Sequence, residues 1–210
     1  MFKNRIILFA FPAALAAVIL AGCKKNPAPP AQPQPPAAAQ AAVPAAAEKP
    51  VAPEINPPGD IPDSQVFVKY SSAEGKYSLD VPEGWARSEH GADVSFADKF
   101  DGVAVVLSKS PQPPTEAGIR TGQAAALKKD GRAVEIQGIK TKKMHGAAVI
   151  CVTYASNSAP DPVTGKQLRL ENAAYYYYNN GGLAALTMWA PSGADNVDQW
   201  KRMSESFRWR

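Results

Sequence analysis

The sequence predicts an α+β domain, an antiparallel β-sheet flanked by helices, and three observations carry that prediction. Runs such as "QVFVKYSS" and "AAVICVTYA" alternate apolar with other residues, the period of a half-buried strand. Several runs are joined by hairpin-sized connections, His145-Gly146 and "NNGG" among them. Two stretches, after Thr115 and after Ser192, combine helix-start residues with apolar side chains at helical spacing. Strands, a helix, more strands and a closing helix are the order expected when helices pack on an antiparallel sheet.

Each element follows from local chemistry. "QVFVKYSS" reads as the first strand, and "KYSLDVPEGW" as a second that Pro82 halts, with Pro-Glu-Gly turning the chain toward Trp85. "ADVSFAD" and "GVAVVLSKS" read as strands joined through a turn at residues 99–102. Prolines at 111, 113 and 114 interrupt the sheet. Thr115 then offers an N-cap for a helix reaching about Lys129, with Ile119, Ala125 and Leu127 on it and Gly131 as its stop. Four long strands are expected near 132–143, 147–157, 167–179 and 183–190. A last helix is expected from about Ser192, with Asp195 and Asp198 in its early turns. Val197, Trp200, Met203 and Phe207 would form its apolar stripe, with Trp200 and Trp209 as core and rim. Cys151, inside an alternating run, is expected to be a buried, inert thiol.

The nine residues Tyr77-Ser78-Leu79-Asp80-Val81-Pro82-Glu83-Gly84-Trp85 stand before glycine-punctuated strands, a mid-chain helix and long hairpins. With the terminal Ser206-Phe207 they resemble the PsbP and Mog1-like fold family, which includes bacterial lipoproteins and periplasmic proteins of the DcrB type. The resemblance covers about 66–209. It implies an α/β/α sandwich around an antiparallel sheet, and a binding or assembly role more than a chemical one. The residues that carry it are packing and turn signatures, and fold by itself says little about function.

The N-terminal segment addresses location. Lys3 and Arg5 precede an uncharged apolar run at 6–20, followed by Ala21 and Gly22, the layout of an export signal. Fifteen helical residues span only about 22 Å, short of the roughly 30 Å bilayer core. Leu20-Ala21-Gly22-Cys23 resembles the bacterial lipobox, in which the cysteine thiol receives a diacylglycerol and the chain is cut before it. Two or three acyl chains, at about 0.8 kcal/mol per buried CH₂, anchor durably. The expected division is therefore a signal peptide at 1–22, lipidated Cys23 with a Pro/Ala-rich tether at 23–62, and the folded domain at 63–210. The tract from Pro27 to Pro62 holds 12 prolines in 36 residues and little large apolar surface. Lys24, where lipoproteins retained in the inner membrane of enterobacteria carry Asp, directs the expectation to the outer membrane, facing the periplasm.

Composition excludes some classes. The net charge of +4 falls by two when Lys3 and Arg5 leave with the signal, and no clustered basic run marks a nucleic-acid footprint. No metal-ligand spacing, nucleophile elbow or phosphate loop is present. His90 in "RSEHGAD" reads as a surface-loop residue near Glu89 and Asp93, and His145 as a turn residue. No catalytic residue, metal or cofactor is expected. The partners expected are the membrane, through the lipid on Cys23, and an envelope protein or a small ligand. Trp85, Tyr176, Tyr178 and Trp189 are the candidate partner-facing aromatics. The run 175–178 places Tyr175 and Tyr177 on one face of a strand and Tyr176 and Tyr178 on the other. The functional expectation is a lipid-anchored, non-catalytic envelope binding or adaptor protein. The alternatives are a lipoprotein hydrolase using His90 or His145, and a purely structural envelope lipoprotein.

Overall fold

A computed structural model describes residues 48–210. The signal peptide at 1–22, Cys23 and the tether up to residue 47 lie outside the described residues. In chain order the elements are β1 (Phe67–Ser72), β2 (Tyr77–Pro82), β3 (Ala86–His90), β4 (Asp93–Asp98), β5 (Asp101–Lys109), α1 (Glu116–Thr121) and α2 (Gln123–Asp130). They continue with β6 (Glu135–Met144), β7 (Ala147–Asn157), β8 (Arg169–Asn179), β9 (Gly182–Pro191), α3 (Val197–Ser206) and β10 (Arg208–Trp209).

The strands form two antiparallel sheets where the sequence reading expected one. The larger has the order β3-β4-β5-β9-β8-β7-β6, and the smaller β1-β2-β10. The two-residue β10 closes the smaller sheet against Ser78 and Tyr77 of β2, too short a pairing to show as a sequence period. The β6–β7 turn at His145-Gly146 and the β8–β9 turn at Asn180-Gly181 each place both central residues at positive φ. That is the twist a two-residue hairpin needs.

Alternation along the large sheet sends side chains into two cores. One face carries Val103, Val105, Cys151, Tyr175, Tyr177, Leu186 and Met188, which pack with Tyr77, Leu79 and Val81 of β2 and with Met203 and Phe207. The opposite face carries Ile139, Ile150, Val152, Ala174 and Tyr176 beneath Ile119 and Ala124 of α1 and α2. Phe207 links the layers, its ring stacked on Tyr77 at 5.6 Å and on Tyr177 at 4.4 Å. The sandwich is therefore helices on one face, and α3 with the small sheet on the other.

Four local expectations are corrected. Residues around His90 form β3, an edge strand paired with β4; all five of its residues are exposed, so no apolar alternation marks them. The helix capped by Thr115, whose Oγ1 accepts the Gly118 N–H at 3.1 Å, breaks at Gly122. There Thr121 Oγ1 donates back to the Ala117 carbonyl, a competitor for helical geometry. The last helix begins at Val197, because Pro191-Ser192-Gly193 turns the chain first, with Gly193 at φ 98°. Val197 is also 73% exposed, and Gln199 and Ser204 join Met203 on the buried side instead.

Residues 48–62, proline-rich and without helix or strand, run across the domain as a strap. Asn157 Oδ1 accepts the Val51 N–H, and its Nδ2 donates to the Lys49 carbonyl. Glu48 pairs with Arg132, and Glu54 with Lys166. At the other end, Asn196 accepts the Ile61 N–H at 2.7 Å and donates to the Gly59 carbonyl at 2.8 Å, and Ile61 is 5% exposed. Asn196 occupies the N-cap position of α3 without capping it, because its side chain is spent on the strap.

Candidate functional site

Strap, turn and loop converge at the end of the large sheet where β5 begins and β9 ends. Trp189 of β9 stands opposite Gly102 in the ladder, and its indole lies directly over that glycine. A Cβ at Gly102 would fall 1.9 Å from the ring, so only glycine admits the indole in this pose. Trp189 stays half-buried and forms the floor of a cleft of about 640 Å³. Its walls are Glu54 and Pro58 of the strap, Lys99 and Phe100 of the β4–β5 turn, and the β7–β8 loop from Ser158 to Leu168.

The loop is held closed by its own polar groups. Asp161 accepts the N–H groups of Val163 and Thr164 and the Thr164 hydroxyl, and these bonds hold its carboxyl below the usual range. The Asp161 N–H donates to the Lys166 carbonyl, and the Ser158 N–H to the Leu168 carbonyl. Pro160 and Pro162 therefore stand on a preformed wall, so little ordering entropy remains to be lost on binding. Lys99 lies 5.3 Å over the Phe100 ring, and Lys166 is paired with Glu54. The cleft thus offers aromatic and proline surface with charges at its margin.

Behind this end of the sheet lies Asp101, 7% exposed, its Oδ1 without a hydrogen-bond partner among the described residues. Burial first, then Asp98 and Asp60, push its pKa up to about 7. It does not line the cleft.

The four sequence candidates separate. Trp189 lines the cleft. Trp85 is half-buried against the core of the smaller sheet. Tyr176 is corrected from partner-facing to core: it is 5% exposed, packed beneath α1 and α2. Tyr178, on the same face one step further along β8, is half-buried. Cys151 is buried as expected, and burial raises its pKa.

The histidines lie apart from the cleft. His90 ends β3, 3.4 Å from Ser88 Oγ. His145 Nε2 lies 2.7 Å from the Glu205 carbonyl oxygen and 2.5 Å from the Arg208 guanidinium. Glu89 accepts from the Tyr70 hydroxyl and Asp93 from the Leu107 N–H, so neighbouring carboxylates are engaged in the fold. Among the described residues no group of three His, Cys, Asp or Glu could hold a metal ion. Phe100 and the strap residues escape sequence reasoning, because nothing local ties residue 58 to residues 100 and 189.

The family profile described as PsbP matches residues 65–209. The chain belongs to the PsbP family. The match spans nearly the whole described fold, β1 through β10, and the stretch on which the sequence resemblance rests. Among solved structures, this PsbP-family chain is similar to the cyanobacterial PsbP, CyanoP, of Synechocystis sp. PCC 6803, at 17% identity and TM-score 0.49, over 72% of this chain and 98% of that one. It is similar to the Ran-binding protein Mog1p of Saccharomyces cerevisiae at 10% identity and TM-score 0.48, over 70% and 96%. LpqN of Mycobacterium tuberculosis, described as involved in cell envelope biogenesis, is matched at 13% identity and TM-score 0.44, over 69% and 91%. No curated protein matches the sequence.

Proposed function

We propose that the protein is a lipid-anchored binding or adaptor module of the cell envelope, held through Cys23 and acting without catalysis. The observation that carries the reading is the Trp189 cleft, a preformed aromatic and proline-lined recess in which strap, turn and loop wall the β9 indole. Its volume lies within the range of specific binding sites. Aromatic anchors in recesses of this kind carry most of the energy of protein association. The anchor rests on the Leu20-Ala21-Gly22-Cys23 sequence, and the outer-membrane placement on Lys24. A tether adds no contact of its own and acts by raising the concentration of the domain near the membrane.

The test is photocrosslinking in cells with benzoylphenylalanine placed at Val163, 90% exposed on the cleft loop, or at Val68, 41% exposed on the smaller sheet. A defined protein adduct is expected from position 163, absent at 68, and diminished when Cys23→Ala releases the chain. Equal adducts at both positions, or none from abundant folded protein, would sink the proposal.

A further inference from the structure

The face of the large sheet beneath α3 is only partly covered. Tyr177 of β8 donates its hydroxyl to the Ser204 carbonyl at 2.7 Å, which seats α3 over that strand. Toward the free edge, β7 and β6 continue without a helix above them. The step leaves a groove of about 480 Å³, floored by Cys151, Ala173 and Tyr175.

Charge and apolar surface are unusually arranged in it. Lys140 and Lys142 alternate along β6, opposite Cys151 and Val149, and so point to the α3 side of the sheet. Lys143 joins them at one margin and Lys201 at the other, with Glu205 the lone acid of the lining. None of the four lysines lies within 4 Å of a carboxylate among the described residues. The Lys142 amine donates to the Tyr175 hydroxyl at 3.3 Å and stands 5.1 Å over that ring. The α3 wall presents Trp200, half-buried, and Val197, 73% exposed. Cationic groups and exposed apolar surface thus stand side by side at this step, a pairing that complements an anionic head on an apolar body.

Two polypeptide occupants are disfavoured. Residues 24–47 contain no Asp or Glu, so the chain's own tether does not match the charge. Addition of a strand to the β6 edge meets an occupied donor, because the Thr141 N–H already donates to Glu116 Oε1 at 2.7 Å. We propose that the groove binds a small anionic amphiphile. A carboxylate or phosphate head lies among Lys140, Lys142 and Lys201, and an apolar body follows Trp200 and Val197.

The experiment is photolabelling of the full-length chain in phosphatidylcholine nanodiscs with decanoate carrying a mid-chain diazirine, mapped by mass spectrometry. Label is expected on Val197, Trp200 or Met144. Decanoate and decyl phosphate should displace it, and decanol and decyltrimethylammonium should not. K140Q/K142Q/K201Q should cut labelling about tenfold or more, because the anionic head loses its cationic partners. The corresponding arginine variant should retain it. All three lysines are exposed, so the fold tolerates these changes. Val197→Glu, which places a carboxylate in the groove from an exposed position, should also abolish labelling. If phosphatidylglycerol nanodiscs suppress the label, the head belongs to a bilayer lipid; if they do not, it belongs to a free amphiphile. Label elsewhere on the chain, unchanged labelling in K140Q/K142Q/K201Q, or equal displacement by the cationic amphiphile would overturn the proposal. So would equal displacement by a hexaglutamate peptide, which lacks the apolar body.

Discussion

Replacing Asp101 by Asn should remove a pH dependence from the stability of the domain. Asp101 opens β5 opposite Asp98, and a Cβ on Gly59 of the strap would stand 3.1 Å from its Oδ1. Burial, reinforced by Asp98 and Asp60, raises its pKa from 3.8 to about 7. In the unfolded chain the proton leaves near pH 4, whereas the fold retains it until about pH 7. Between those values the folded state binds more protons than the unfolded one, so stability falls as pH rises. A displacement of about three units at 1.36 kcal/mol each corresponds to about 4 kcal/mol as a ceiling, and about 2–4 kcal/mol is expected. Asn keeps the shape of the side chain and never ionises. Urea unfolding of wild type and D101N should therefore give similar stability near pH 4, and the variant should be more stable by that margin near pH 8. Identical pH slopes for the two proteins would refute the account of Asp101.

Three further outcomes follow from the packing. Gly102→Ala should cost about 1–3 kcal/mol by overpacking and expel the Trp189 indole from its seat, read as a lower melting temperature and a red-shifted tryptophan emission. Asn196→Ala removes two hydrogen bonds to the strap and should cost about 1–3 kcal/mol, with limited proteolysis between residues 48 and 62 accelerated while the sheets stay resistant. Phe207→Ala leaves a hole between Tyr77 and Tyr177 and should cost about 3–5 kcal/mol in chemical denaturation.

Most strands are legible because their signal is local. The Tyr175 to Tyr178 run must alternate, and Tyr175 and Tyr177 do face α3 while Tyr176 lies under α1 and α2. The exposed strand Ala86–His90 is silent for the same reason: it owes its place to pairing with β4, and no side chain of its own is buried. Faces are harder than strands. Lys140 and Lys142 alternate with Ile139 and Thr141 as any strand would, but whether their side becomes core or groove depends on where α3 stops. The exposure of Val197 has the same origin. Nor can a local pattern show that the Ile61 N–H meets Asn196, 135 positions away, or that Gly102 is required by an indole on another strand. The cleft is a product of such distant meetings, and Trp189 was its one visible member.

The strap also has a mechanical consequence. A chain pulled from its N-terminal side loads the bonds of Glu48, Lys49 and Val51 first, then Glu54, and only later the Asn196 clasp. These attachments are met one after another, as in opening a zip, whereas the long ladders of the sheet share a load across many bonds at once. Opening of the strap alone releases about 50 Å of extended chain for its roughly fifteen residues. The domain carries a reserve of slack, stored on its own surface and recovered when the pull ends.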